Sequence, residues 1–102
     1  MIQSLDIVYD YCDRIKNDRT LTIIHESLLE EVGELDIEMT RHIEGKDCGE
    51  DGIVGESVDV ALCAIDLAYK ALERERKTHI EIKSIIGDTF KKKLDKWERI
   101  YG

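Results

Sequence analysis

The chain has 102 residues, 37% of them charged and 42% hydrophobic, with a formal net charge of -8 at pH 7. That composition is too apolar for a disordered tail and holds no apolar run near the roughly 18 residues of a membrane span. The excess of acid also excludes a nucleic-acid backbone as the main partner, because such binding rests on clustered Lys and Arg.

One domain covering 1-102 is expected, with a core of the size that small helical proteins often share through oligomerisation. Cys12, Cys48 and Cys63 are odd in number and lack Cys-x-x-Cys spacing, while the opening MIQSLDIVYDY has neither the basic nor the apolar region of a secretory signal. Free buried thiols and cytoplasmic residence are therefore the expectation.

No proline occurs, and long periodic segments are separated by short Gly, Asp and Asn clusters. This is the pattern of helices joined by brief loops. The first predicted helix runs from about Leu5 to Lys16 after a Ser4 cap, with Leu5, Val8, Cys12 and Ile15 on one stripe. After a break at Asn17 to Thr20, the second runs from about Leu21 to Ile43. Leu21, Ile24, Leu28, Val32, Leu35 and Met39 form its apolar face, and Gly45 suits the C-terminal position. The polar connection GKDCGEDG leads to a third helix from about Ile53 to Arg76. A fourth begins at Thr78, whose spacing to Glu81 fits a capping box. Nothing reads as a strand. The expected fold class is all-α, as an antiparallel four-helix bundle-like domain that is oligomeric.

The second helix contains SLLEEVGELDIEM, with Glu30, Glu31, Glu34 and Glu38 beside the apolar face. On a wheel of about 100° per residue, Glu31 and Glu38 border the apolar arc, Glu34 follows and Glu30 lies furthest out. A flank of Glu is also what an ordinary solvated helix border looks like.

The third helix, GESVDVALCAIDLAYKAL, is apolar around most of its circumference and is expected to be central and mostly buried. Glu56, Asp59 and Asp66 nevertheless share one narrow sector. Carboxylates carried into a core require compensation. Lys70 reaches Asp66 at i+4, leaving Glu56 and Asp59 without a local partner. Glu31 and Glu34 are three positions apart, as are Glu56 and Asp59, so each pair occupies one helix face. Antiparallel packing through the loop at 44 to 52 brings the two pairs into one volume, where four anions demand a divalent ion. An all-oxygen set selects a hard cation, Mg²⁺ ahead of Ca²⁺ or Mn²⁺.

Glu30-Glu31-Val32-Gly33-Glu34, followed after 21 intervening residues by Glu56-Ser57-Val58-Asp59, resembles the signature of the MazG-like all-α nucleoside triphosphate pyrophosphohydrolases. The likeness covers about 23 to 75, with the flanking helices matching in length and character. The resemblance implies a Mg²⁺-dependent enzyme, with Mn²⁺ as a substitute, that cleaves an NTP or dNTP between the α and β phosphates to the monophosphate and pyrophosphate. It implies Glu31, Glu34, Glu56 and Asp59 as metal ligands and Glu30 as an acid that helps a further metal or orients the attacking water. It also implies a homodimer, or a tetramer made of dimers.

In the fourth helix, Ile82, Ile86, Phe90 and Trp97 form a stripe into which Lys93 falls. Lys93 and, as a second choice, Lys96 are candidates for holding substrate phosphate, against the alternative of lysines snorkelling at a core edge. His25, one turn before the acids, could approach a base or sugar, and Gly33 suggests a close helix contact. A dUTP-type diphosphatase or a phosphoribosyl-ATP pyrophosphatase would use much the same carboxylates. A di-iron bundle wants Glu-x-x-His pairs, which His25, His42 and His79 do not supply. A non-catalytic helical interaction module would need Glu56 and Asp59 to face water.

Overall fold

The computed structural model describes residues 3–15 and 19–102. Among the described residues the secondary structure is all-α, with no strand: α1 (Gln3–Arg14), α2 (Leu21–Ile43), α3 (Gly52–Arg74) and α4 (His79–Tyr101). None of these helices is long and apolar enough to cross a membrane.

The helix ends follow from local chemistry. Because α1 already includes Gln3, Ser4 lies inside the helix and not before it as a cap. Lys16 and Asn17, where the sequence placed the end of α1 and the start of the break, fall outside the described residues. The cap of α2 is Thr20, in extended conformation, whose hydroxyl accepts the Ile23 N–H at 3.1 Å. At the other end Gly45 takes φ 72. Its N–H reaches His42 O at 3.1 Å while the Lys46 N–H reaches Arg41 O at 2.8 Å, the paired bonds that close a helix through a left-handed residue. α3 closes the same way, two residues earlier than expected. Arg76 sits at φ 64, its N–H on Glu73 O at 2.9 Å and that of Lys77 on Leu72 O at 3.3 Å. α4 opens on the capping box read from the sequence, Thr78 accepting from the Glu81 N–H at 3.2 Å and Glu81 accepting from the Thr78 N–H at 2.9 Å.

The helices form two compact units, one of residues 3–15 with 68–102 and one of residues 19–67 among those described. In the first, α1 and α4 run antiparallel, since Asp6 meets Lys83 at 3.3 Å and Asp10 meets His79 at 3.2 Å. Tyr9, Cys12, Tyr69, Ile82 and Ile86 are its buried hydrophobic residues. Tyr69 is fully enclosed, its hydroxyl 2.7 Å from His79 Nδ1 and 3.2 Å from Asp13 Oδ1. Burial, then the Asp13 carboxylate, push that hydroxyl well above the usual tyrosine range.

Lys70 departs from the sequence expectation. It is buried, and its ammonium donates to Cys12 O at 3.4 Å, Ile15 O at 3.0 Å and Glu73 Oε1 at 3.2 Å. A cation on the orphan carbonyls at the end of α1 satisfies both their hydrogen bonding and the helix dipole. Asp66 pairs instead with Arg19, Nη1 to Oδ2 at 2.9 Å.

In the second unit Ile24 and Ile65 are the buried apolar residues. The apolar circumference of α3 is only partly covered: Val54 is 77% exposed, Val58 50% and Leu62 42%. The expectation of a mostly buried α3 is therefore corrected, because an apolar arc on both sides of a helix needs covering elements on both sides. On α2, Val32 and Met39 are likewise exposed. A Cβ added at Gly33 would meet nothing within 4 Å, so no close helix contact explains that glycine. None of the three cysteines is in a disulfide, and only Cys12 is buried; Cys48 is exposed and Cys63 half-buried.

Candidate metal centre

The second unit pairs α2 with α3 in opposite directions. Arg19 meets Asp66, Glu31 meets Asp59, Glu34 meets Glu56 and Glu38 meets Gly49, so each step forward on one strand of the pairing is a step back on the other. This antiparallel order turns the two i, i+3 acid pairs toward each other.

Glu31, Glu56 and Asp59 each place a carboxylate oxygen within 4.8 Å of the other two. Glu56 is 9% exposed, and Glu31 and Asp59 are half-buried. One oxygen on each glutamate, Glu31 Oε2 and Glu56 Oε2, is buried without a hydrogen-bond partner. Buried carboxylate oxygens in that state are costly unless a cation completes them.

Electrostatics carry the same message. Desolvation, then the charge and hydrogen bonding of Glu34, push the Glu56 carboxyl up to about 6, with Asp51 and Asp59 adding to the shift. Glu31 is also raised, by desolvation first and then by Glu34, Asp59 and Glu30. Glu34 is exposed yet acts on both Glu31 and Glu56, and Glu30 is exposed. Glu38 and Glu31, at the edge of the apolar arc on the wheel, are thus less exposed than Glu34 and Glu30.

Two neighbours were not singled out as site residues by sequence. Asp51, just before α3, bears on Glu56, and its backbone carbonyl accepts the Gly55 N–H at 3.0 Å. Its position one residue before the helix is the only signal that marked it. Cys63, one turn beyond Asp59, has its thiol pushed up by desolvation and by Glu31, Asp66 and Asp59.

Other expectations fall elsewhere. Glu38 is 6% exposed but does not join the cluster; it binds the loop after α2. His25 is exposed on α2, and Lys93 and Lys96 are exposed in the last turns of α4, which belongs to the other compact unit.

The donor set fits a hard divalent cation. It is built of oxygens, it carries more negative charge than its surroundings compensate, and two of its buried oxygens have no protein donor. The chain has no match among known protein families, curated proteins or solved structures.

Proposed function

We propose that the chain is a Mg²⁺-dependent nucleoside triphosphate pyrophosphohydrolase, which hydrolyses an NTP or dNTP between the α and β phosphates to release pyrophosphate. The observation that carries this reading is the convergence of Glu31, Glu56 and Asp59 with unpartnered buried oxygens on both glutamates. Glu34, facing Glu31 and Glu56, completes the set that would hold the ion. When bound, Mg²⁺, or Mn²⁺ in its place, offsets charge on the triphosphate and lowers the pKa of water. Glu30, exposed beside Glu31, would help a further metal or orient the attacking water.

The antiparallel four-helix bundle expected from the sequence belongs to the same reading, as does a homodimer or tetramer. Exposed Val54, Val58 and Leu62 on α3, with Val32 and Met39 on α2, supply an apolar surface for a second copy of the chain. Lys93 and Lys96 are proposed phosphate contacts. The same carboxylates would serve a dUTP-type diphosphatase or a phosphoribosyl-ATP pyrophosphatase. A cytoplasmic location accords with a nucleotide substrate.

The test is incubation with a panel of canonical and modified nucleotides, followed by phosphorus NMR. Pyrophosphate and a monophosphate should appear with Mg²⁺ and not with chelator. Glu31→Gln and Asp59→Asn should abolish turnover with helical content retained. Release of orthophosphate, or no turnover of any nucleotide, would contradict the proposal.

A further inference from the structure

The loop between α2 and α3 is tied down by one buried side chain. Both carboxylate oxygens of Glu38 accept from the Gly49 N–H, Oε1 at 3.0 Å and Oε2 at 2.9 Å. Arg41, one turn further along α2, donates Nη1 to Oε1 at 3.2 Å and meets its charge. The Cys48 thiol is pushed up by desolvation and then by Glu38. A Cβ on residue 49 would lie 2.6 Å from Glu38 Oε1 and 3.2 Å from Arg41 Nη1, so the Glu38 carboxylate would have to shift off the amide to admit one.

The position of this clamp sets the register of the metal centre. Glu31, Glu34 and Glu38 fall at i, i+3 and i+7 on one face of α2. Glu38 is four positions after Glu34, and Glu56 is four positions after Gly52. At about 1.5 Å per residue, each interval is about 6 Å along its helix. With Gly49 held on Glu38, the chain turns at Gly52, at φ 65, and starts α3. Glu56 then arrives opposite Glu34. A slip of one residue would rotate Glu56 and Asp59 by about 100° away from Glu31.

We infer that Glu38 is a positioning residue for the metal centre: its clamp on the Gly49 amide fixes the register in which the acids of α3 meet those of α2. The inference rests on the metal-centre reading given above. Glu38 touches neither ion nor substrate and acts through the loop.

The test compares wild type with Glu38→Gln and Gly49→Ala, each held at a temperature where circular dichroism shows it fully folded. Mn²⁺ binding is followed by electron paramagnetic resonance, and melting in chelator is recorded separately. Both variants should bind Mn²⁺ about tenfold more weakly, the loss typical when a group that orients metal ligands is removed. Lys46→Gln, whose partner is the exposed Glu44 and which does not touch Glu38, should bind within about twofold of wild type. Unchanged Mn²⁺ affinity in Glu38→Gln and Gly49→Ala, whatever their melting points, would overturn the inference while leaving the metal centre standing. Failure of wild type to bind Mn²⁺ would overturn both.

Discussion

Arg19 Nη1 lies 2.9 Å from Asp66 Oδ2, and the pair closes the face of α3 that carries Asp59 two turns earlier. The Asp66 side chain is 15% exposed and its Oδ1 is buried without a hydrogen-bond partner, so Arg19 is its main compensation. Arg19→Met should destabilise the protein by about 2 kcal/mol, less than the loss for a fully buried pair because Arg19 is itself partly solvated. Asp66→Asn in the same chain should recover part of that loss. Urea denaturation of the two single variants and the double variant measures the coupling.

Arg76 closes α3 in the left-handed region, at φ 64, where an L side chain is strained and glycine is not. Arg76→Gly should stabilise the chain by about 0.5–1 kcal/mol, since the exposed side chain is replaced without loss of the two closing hydrogen bonds. Thermal melts of the two proteins check this. A lower melting temperature for the glycine variant would show that the Arg76 side chain makes an offsetting contribution.

How much of this was legible in sequence depended on whether the physics was local. The capping box at Thr78 and Glu81, the left-handed Gly45 and the lower exposure of Glu31 and Glu38 than of Glu30 and Glu34 follow from spacing along one helix. Lys70 shows the limit. The i+4 rule offers it Asp66, whereas the stronger partners are carbonyls at the end of α1, far away in sequence. The contact of Glu38 with Gly49 is hidden for a related reason, because an amide in a loop leaves no periodic trace. Periodicity also shows that α3 carries apolar residues around its axis, but not whether the same chain covers them. Arg76 in a glycine-like conformation has no sequence signal at all.

The exposed arc of Val54, Val58 and Leu62 predicts self-association. Leu62→Glu, a change at a position 42% exposed in the single chain, should leave helical content intact and shift the protein toward monomer in light scattering. A wild type that is monomeric across the micromolar range would contradict this expectation.

The pH dependence has a defined sign. Glu56 titrates near 6 in the folded chain against an ordinary value of 4.5, and Glu31 is raised in the same direction. The folded state therefore binds more protons than the unfolded state between those values, and stability in chelator should fall as pH rises from about 4.5 through about 6. Above that window the loss is complete. Glu81 works oppositely: its carboxyl is lowered by the Thr78 backbone and hydroxyl, so its contribution is lost only as pH falls below the ordinary value. Excess Mg²⁺ should flatten or reverse the decline attributed to Glu56. Melting temperature against pH, with and without Mg²⁺, reads this directly, and a curve that is the same in both would contradict it.

The shared ion is tested most directly by Mn²⁺ titration of wild type, Glu56→Gln and Asp59→Asn, followed by electron paramagnetic resonance under conditions where circular dichroism shows all three folded. Wild type should bind the ion, Mg²⁺ should displace it, and each substitution should weaken binding by at least about tenfold. Equal binding by all three proteins, or none by wild type, would contradict a cation held between α2 and α3.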